Sequence, residues 1–266
     1  MRAEEAVNRT DETERPFLSV VIPALNEARS IGATLDAAAR VRGLVEVVVV
    51  DGGSTDGTAE VARARGVRVV RSARGRGAQM HAGAAVARGS VLWFLHADTL
   101  APSDAAELIE AALDDAGVVG GNFRILFDGG RRAARFLTWL YPRLRRLGLC
   151  YGDSGIFVRR EAYFRVGGFR AFPVFEDLDL VRRLRRAGRM AHVPSAVVTS
   201  SRRFEGRSFA VTFARWSLLQ ALYWLGVSHD TLGRFYSPVR SVRRKNSERR
   251  DAGVRSSEQD DASVSC

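Results

Sequence analysis

One stretch of the chain, from Val45 to Thr58, constrains the fold more than any other. It runs from a nearly continuous series of valines through Asp51 to two glycines, and then to hydroxyl and carboxylate side chains. An apolar run of this kind is typical of a strand that is covered on both faces, as in a parallel sheet. Ser54, Thr55 and Asp56 are residue types that cap helices. The pattern therefore predicts a buried strand ending at Asp51, then a turn and a helix.

Asp51 would lie at the carboxyl end of that strand, which is the edge of an open α/β sheet where ligands bind. Gly52 and Gly53 have no side chains, so a ligand could approach the backbone closely. An ordinary turn between a strand and a helix uses the same residue types, and both interpretations stay open on this stretch alone.

Strand and helix patterns alternate along the first part of the chain. A strand is predicted over Leu18–Ile22, which Pro23 ends, followed by a helix, the strand to Asp51, a second helix and a strand over Val67–Val70. This order predicts a doubly wound α/β fold of the nucleotide-binding type. The sequence has neither the Gly-x-Gly-x-x-Gly turn nor the Gly-x-x-x-x-Gly-Lys loop, which argues against a dehydrogenase and a P-loop kinase.

The chain of 266 residues is long enough for one sizeable core, and we expect a single domain over residues 16–237. Residues 1–15 and 238–266 are charged and lack apolar periodicity, so both are predicted to be disordered tails. The first 15 residues have no apolar segment like that of a signal peptide, so we expect a cytoplasmic protein.

The net charge of +11 comes almost entirely from arginine, because Lys245 is the only lysine. A basic protein can attract nucleic acid, anionic lipid or phosphorylated ligands. The arginines are scattered, and no recognition helix, zinc finger or RNP motif accompanies them. We therefore expect no nucleic-acid partner, and a solvated or membrane-facing basic surface instead.

Two further segments place candidate ligands at strand or helix ends. A Gly/Arg loop over Arg74–Gly83 leads into a small-residue helix, and Arg76 in it suits a diphosphate, although a flexible basic turn is also compatible. A strand over Val91–Leu95 ends on His96-Ala97-Asp98, which delivers a second carboxylate to the sheet edge. Divalent cations take carboxylate and phosphate oxygens, but a single aspartate also forms turns.

Acidic residues begin a helix later in the chain. Glu176 and Asp177 precede an amphipathic run that Gly188 ends. The helix dipole favours carboxylates there, so capping remains an alternative to catalysis. Arg202 and Arg203 are a second place where arginines could meet phosphate.

The segment Phe209–Val227 is apolar at helical spacing but too short to span a bilayer. It is predicted either to dock on the core or to lie at a membrane interface.

Taken together, the motifs of the chain resemble the family 2 glycosyltransferases of the GT-A fold, and particularly small bacterial members associated with arsenosugar biosynthesis. The similarity runs from about Phe17 to Phe209. The six motifs that carry it are Val20–Glu27, Val50–Thr58, Arg74–Gly77, His96–Asp98, Tyr151–Phe157 and Phe175–Asp177. Their order is specific for the family, although not for a substrate.

This resemblance implies one GT-A domain, with a mixed sheet flanked by helices, that binds a nucleotide sugar, with uracil as the expected base. The residues assigned to the nucleotide sugar are Pro23, Ala24, Glu27, Asp51, Gly52, Arg76, Asp98, Arg202 and Arg203, and those assigned to the acceptor side are Gly152 and Asp153.

The resemblance also implies roles in the reaction. Asp98 corresponds to the last carboxylate of the family's Asp-x-Asp motif, which binds Mg²⁺ or Mn²⁺, whereas His96 departs from its first position. Asp177, beside Glu176, corresponds to the general base. A cation and arginines neutralise the leaving diphosphate while the base deprotonates the acceptor, and direct displacement inverts the anomeric carbon.

The acceptor is predicted to be a small molecule or a lipid. One alternative is a lipid or carotenoid glycosyltransferase, similar to those acting on diaponeurosporenoate, in peripheral contact with an anionic membrane at the inner face of the cell. An alternative of another class is a non-catalytic nucleotide-sugar-binding protein. Such a protein would need neither Asp98 nor Asp177, and the presence of both argues against it.

Overall fold

The computed structural model describes residues 15–128, 132–146, 152–200 and 209–235, with the backbone alone for residues 132, 133 and 144–146. The predicted tails therefore lie outside the described residues except for Arg15, and so do Arg202 and Arg203. The strands are β1 Leu18–Ala24, β2 Val45–Asp51, β3 Arg68–Arg71, β4 Val91–Phe94, β5 Thr99–Leu100, β6 Val118–Phe127, β7 Ile156–Arg159 and β8 Arg189–Thr199. The helices are α1 Ile31–Ala38, α2 Thr58–Arg63, α3 Arg76–Val86, α4 Ala105–Leu113, α5 Arg132–Arg146, α6 Arg160–Arg165, α7 Glu176–Ala187, α8 Phe209–Trp224 and α9 His229–Phe235, with a 3₁₀ turn at Gly152–Ser154.

The described strands form one mixed sheet in the order β3-β2-β1-β4-β7-β6-β8-β5. The first four strands run parallel, β7 is antiparallel to both β4 and β6, and β8 is parallel to β6. The pairing of β1 with β2 puts Ala24 opposite Asp51 at the carboxyl edge. The α/β fold with helices flanking a mixed sheet is confirmed.

Alternating side chains of the sheet face two helical layers. Val20 and Ile22 of β1 pack towards α1, α2 and α4, whereas Val21 packs towards α3, α6 and α7. Val48, Val49 and Val50 of β2 are fully buried. The last valines of β2 are therefore apolar without interruption because both faces of the strand are covered there, as the sequence predicts.

The predicted end of β1 at Pro23 is wrong, because the strand continues through Pro23 to Ala24. β4 pairs with β1 only as far as Val21. Within the described part of the chain, no strand therefore lies on that side of Pro23 to need the amide hydrogen that proline lacks.

The paired glycines of β6 allow close contacts across the sheet. A Cβ on Gly120 would lie 2.4 Å from the Phe157 carbonyl oxygen, and one on Gly121 would lie 2.6 Å from the Ala191 carbonyl oxygen. The pairing of β6 with β8 also shifts register beside Gly120. The structure thus contains the close backbone contact that Gly-Gly suggests in a strand.

Helix α8 docks on the core with one face. Leu219 is buried there against Val174, Phe175 and Leu178. Val211 and Leu218, about a quarter of a turn away from Leu219, are exposed, and so is Leu225 just after the helix. Within the parts of the chain that the structure describes, no helix is long and apolar enough to cross a membrane.

Candidate active site

Two loops at the carboxyl edge of the sheet are joined by side-chain hydrogen bonds. Asn26, whose φ is 55°, accepts a 2.9 Å hydrogen bond from the Thr55 nitrogen through Oδ1, and its own nitrogen donates to Ser54 Oγ at 3.0 Å. Asp56 Oδ2 accepts a 3.1 Å bond from the Ala28 nitrogen. The polar residues after β2 therefore hold the loop after β1 as well as the start of α2.

The residues assigned to the nucleoside lie together at this edge. Asp51 is buried, and its carboxylate accepts a 3.0 Å hydrogen bond from the Ser54 nitrogen. The Gly52 nitrogen donates to the Ala24 carbonyl oxygen at 3.0 Å. Glu27 is also buried, and its Oε2 accepts a 2.8 Å bond from the Ser30 hydroxyl.

Gln79 is a residue of this edge that the sequence analysis missed. Its side-chain nitrogen donates to the carbonyl oxygens of Ala24 at 2.8 Å and Val50 at 2.9 Å, so it ties the ends of β1 and β2 together. A Cβ on Gly52 would lie 2.9 Å from the Gln79 amide, which explains glycine at that position. The sequence offered one indication that Gln79 belongs to this edge, which is its position one turn after Arg76 on the same helix.

Arg76, the first residue of α3, connects this edge to the acidic start of α7. Its Nε donates to Glu176 Oε1, and its Nη2 lies 3.9 Å from Asp177 Oδ2. Both carboxylates are buried. Burial by itself lowers the pKa of Arg76, but the charges of Glu176 and Asp177 outweigh it and raise the pKa above its ordinary value. The guanidinium is therefore charged throughout the working range of pH.

Asp177 is held by backbone donors. Its Oδ2 accepts a 2.5 Å hydrogen bond from the Gly152 nitrogen, and its Oδ1 accepts a 2.8 Å bond from the Leu178 nitrogen. Burial raises the pKa of Asp177, and the neighbouring Glu176 charge raises it further, whereas Arg76 and the two hydrogen bonds oppose the change. A carboxylate with a raised pKa and a fixed orientation is suited to accept a proton.

Phe175, just before α7, has a left-handed backbone with φ of 60°. This conformation is unfavourable for a side chain of this size, so the surroundings must maintain it. The ring is buried, with centroid distances of 5.2 Å to Tyr223 and 6.1 Å to Trp216. The sequence carries no signal for this strained residue, because its conformation depends on packing against α8.

His96 and the 3₁₀ turn complete the site. His96 Nδ1 lies 3.0 Å from Asp153 Oδ1, and Nε2 is buried with no hydrogen-bond partner among the described residues. A Cβ on Gly152 would lie 3.1 Å from Asp177 Oδ2 and 3.4 Å from His96 Nε2. The carboxylate and the imidazole nitrogen therefore both lie close to Gly152, where there is little room for a side chain.

The described residues contain no group of three or more metal-ligating side chains, although Asp98 follows His96 by two positions. One carboxylate and one imidazole nitrogen can hold a divalent cation when phosphate oxygens and water complete its coordination. The buried nitrogen of His96, which lacks a partner, is consistent with such a ligand. These residues therefore fit the cation that the GT-A resemblance implies.

Asp179 lies on a different side of α7 from Asp177. Its carboxylate accepts hydrogen bonds from Arg183 at 2.6 and 3.0 Å and lies 3.7 Å from Arg170. The predicted phosphate ligands Arg202 and Arg203 fall outside the described residues. The structure thus brings Arg76, Glu176, Asp177, Gly152 and Asp153 together and leaves Asp179 apart.

The mixed sheet flanked by helices has the architecture of the GT-A type, and the buried carboxylate of Asp177 is held by backbone donors. Residues 19–172, more than half of the chain, match the sequence model of Glycosyl transferase family 2. The chain therefore belongs to this family.

Curated relatives are similar over part of their length. Glycosyltransferase AglE of Haloferax volcanii is 33% identical over 170 residues, which cover 58% of this chain and 56% of the relative. Glucosyl-3-phosphoglycerate synthase of Mycolicibacterium paratuberculosis is 38% identical over 96 residues, which cover 32% of this chain and 29% of the relative. The chain therefore matches about half or less of these relatives' own lengths.

Solved structures share the fold. Glucosyl-3-phosphoglycerate synthase from Mycobacterium tuberculosis, in complex with Mn²⁺ and UDP-glucose, is 25% identical with a TM-score of 0.55, and 80% of each chain is covered. The mannosyltransferase PcManGT from Pyrobaculum calidifontis, in complex with GDP-mannose and Mn²⁺, is 23% identical with a TM-score of 0.61, over 84% of this chain and 66% of the other.

Proposed function

We propose that this protein is an inverting glycosyltransferase that moves a sugar from a UDP-sugar to an acceptor hydroxyl, with Asp177 as the general base. The observation that carries the proposal is the environment of Asp177. Its carboxylate is buried, is oriented by the Gly152 nitrogen at 2.5 Å, and lies 3.9 Å from the guanidinium of Arg76. A carboxylate suited to accept a proton thus lies in the same part of the molecule as an arginine that could bind phosphate.

The donor would extend along this edge. We assign Pro23, Ala24, Glu27, Asp51 and Gly52 to the nucleoside. Uracil is supported by the UDP-glucose complex of the mycobacterial synthase, which is 25% identical to this chain.

Arg76 would contact the diphosphate. Its side chain is 32% exposed, and its guanidinium is held by Glu176. Arginine binds phosphate oxygens through two parallel hydrogen bonds, and here its charge is assured. Arg202 and Arg203 are assigned to the same phosphates as part of this proposal.

Asp98 and His96 would hold Mg²⁺ or Mn²⁺. When bound, the cation would neutralise charge on the departing diphosphate. Arg76 would neutralise part of the same negative charge. Glu176 holds its guanidinium in place. Together these groups stabilise the leaving nucleoside diphosphate, which is where negative charge develops.

Asp177 would take the proton of the acceptor hydroxyl while that oxygen bonds to the anomeric carbon. The bond from this carbon to the diphosphate breaks at the same time, and its electron pair leaves with the nucleoside diphosphate. Attack from the side opposite the leaving group inverts the anomeric configuration. Gly152 and Asp153, next to the base, are assigned to the acceptor.

A lipid acceptor is favoured by the surface of α5 and α8. Trp139, Val211 and Leu218 expose 54%, 69% and 60% of their surface, and Arg143 lies 3.8 Å above the Trp139 ring. Neither helix contains an acidic residue. Aromatic and arginine side chains suit an anionic interface, so peripheral contact with the inner face of the cell membrane is part of this proposal.

A small-molecule acceptor, as the resemblance to arsenosugar-associated enzymes suggests, and a carotenoid are the alternatives. A screen of UDP-sugars for hydrolysis tests the donor assignment without an acceptor, because glycosyltransferases transfer slowly to water. Release of UDP from one sugar donor, abolished by Asp177→Asn, would support the proposal. Tight binding of UDP-sugars with no turnover towards water or any acceptor would instead indicate a non-catalytic binding protein.

A further inference from the structure

The ring nitrogens of His96 have different environments, which determine what this side chain can bind. Nδ1 lies 3.0 Å from a carboxylate oxygen of Asp153, and a carboxylate can only accept a hydrogen bond. Nδ1 therefore carries the proton, and in the neutral ring Nε2 presents a lone pair. The pairing with Asp153 thus defines both the tautomer and the orientation of the imidazole.

The lone pair of Nε2 has no donor in the part of the chain that the structure describes. The atom is buried from solvent, and the side chain as a whole is 11% exposed. Buried polar atoms in native proteins nearly always have a partner, and exceptions need an explanation such as a ligand. The nearby Gly152 has no side chain, and the place where its Cβ would lie is 3.4 Å from Nε2. The nitrogen therefore lies beside the 3₁₀ turn, close to the carboxylate of Asp177 and without a partner of its own among the described residues.

We propose that His96 Nε2 is a direct ligand of the divalent cation, and that this nitrogen makes the site prefer transition-metal cations to Mg²⁺. The inference deepens the proposed function and rests on it. Asp98, two residues away, would supply the oxygen ligand, and the nucleotide phosphates would supply others.

The chemistry of the ligands carries the preference. Mg²⁺ is a hard cation that takes oxygen ligands and loses water reluctantly, whereas imidazole suits first-row transition metals. A carboxylate behind a histidine ring is the common arrangement at metal sites, because it orients the ring and makes the other nitrogen a better ligand. Asp153 stands in this relation to His96. The expected order of affinity is Mg²⁺, then Mn²⁺, then Co²⁺ as the tightest.

Pulsed electron paramagnetic resonance of the Mn²⁺–UDP complex tests the ligand directly, since a nitrogen bound to Mn²⁺ modulates the spin echo. The wild-type complex should show this modulation, and His96→Gln should lose it. His81→Gln is the matched control, because His81 pairs with Tyr163 away from the site, and it should keep the modulation. Bound Mn²⁺ without a nitrogen signal would overturn the inference, as would a signal that persists in His96→Gln.

Calorimetry with UDP and each cation in turn tests the preference. The wild-type protein should bind Mn²⁺ about tenfold or more tightly than Mg²⁺, and His96→Asp should bring the two within about threefold by restoring an oxygen ligand. Asp153→Asn keeps the imidazole but removes its orienting carboxylate, and it should weaken Mn²⁺ binding by about 10–100-fold. Equal affinity for Mg²⁺ and Mn²⁺ in the wild-type protein would overturn the inference.

A titration with UDP alone separates this inference from the function on which it rests. If UDP binds but neither the echo nor the cation preference depends on His96, the glycosyltransferase proposal stands and the nitrogen ligand is wrong. If UDP does not bind with or without cation, the donor assignment fails, and the inference fails with it.

Discussion

Asp177 Oδ2 accepts a hydrogen bond from the backbone nitrogen of Gly152, 25 residues earlier in the chain, at 2.5 Å. This contact connects the start of α7 to the 3₁₀ turn on the acceptor side, so the proposed base and the proposed acceptor subsite form one unit. The backbone donor fixes one carboxylate oxygen without consuming the ability of the group to accept a proton.

Replacing Asp177 with asparagine should separate catalysis from helix capping. Asparagine keeps the acceptor oxygen for Gly152, loses the acceptor for the Leu178 nitrogen, and cannot take a proton near neutral pH. We expect Asp177→Asn to remain folded, to bind UDP-sugar normally and to lose about 10²–10⁴-fold in kcat. Asp179→Asn is the control, since Asp179 pairs with Arg183 and Arg170, and it should retain activity. If the kcat of Asp177→Asn is within a few-fold of the wild-type value, Asp177 is not the base and serves only to stabilise the start of the helix.

Removing Arg76 should destabilise the fold as well as weaken donor binding. Glu176 and Asp177 are 2% and 5% exposed, so Arg76→Gln would leave buried carboxylates without their cation. We expect the free energy of unfolding to fall by about 3–5 kcal/mol. Because the loss comes from an unpaired charge, Arg76→Gln combined with Glu176→Gln should unfold at higher urea concentration than Arg76→Gln alone. If the losses of stability in Arg76→Gln and Glu176→Gln simply add in the double variant, this explanation is wrong.

The left-handed backbone of Phe175 predicts an unusual order of stability for its variants. Both Phe175→Ala and Phe175→Gly lose the buried ring, but glycine adopts φ near 60° without the steric penalty of a Cβ. Phe175→Gly should therefore be the more stable of the two by about 1 kcal/mol. Urea denaturation measures the difference. In an ordinary helix interior alanine is favoured over glycine. If Phe175→Ala is at least as stable as Phe175→Gly, the backbone of residue 175 is not strained.

The raised pKa of Asp177 should appear in the pH profile. The base is active only when deprotonated, so kcat/KM should fall as pH drops through the raised pKa, at a value above the ~3.9 of an ordinary aspartate. Burial is the largest cause of the shift, with the Glu176 charge second and Arg76 opposing it. Added salt should therefore move the acidic limb only slightly. A limb at or below pH 4 would argue against Asp177 as the group that titrates.

Membrane contact through α8 should depend on its exposed apolar face. Leu218→Glu places a charge there, and it should abolish flotation with vesicles rich in phosphatidylglycerol. The matched control is Leu44→Glu, because Leu44 is similarly exposed, at 62%, but lies at the start of β2. Binding that is unaffected by Leu218→Glu, or equal on neutral and anionic vesicles, would show that this face does not contact an anionic bilayer.

The α/β layers and the position of Asp51 at the carboxyl edge of the sheet were predictable because they follow from local patterns. The valines before Asp51 indicate a covered strand, and the parallel order of β1 and β2 then places Ala24 beside Asp51. Contacts between distant segments were not predictable in this way. The bond from Gln79 to the Val50 carbonyl spans 29 residues, and the left-handed turn at Phe175 depends on packing against α8. No periodicity in a sequence encodes such pairings.

The packing of Phe175 against α8 also bears on when the protein becomes competent during synthesis. The central strands β1, β2 and β4 are complete once the chain reaches Phe94, and they could begin to pair while the rest is still being made. The residue that holds the start of α7 in its strained form, however, rests on Trp216 and Tyr223. The packing around Phe175 is therefore complete only after α8 has left the ribosome, so we expect the start of α7 to be the last part of the proposed site to become fixed in a growing chain.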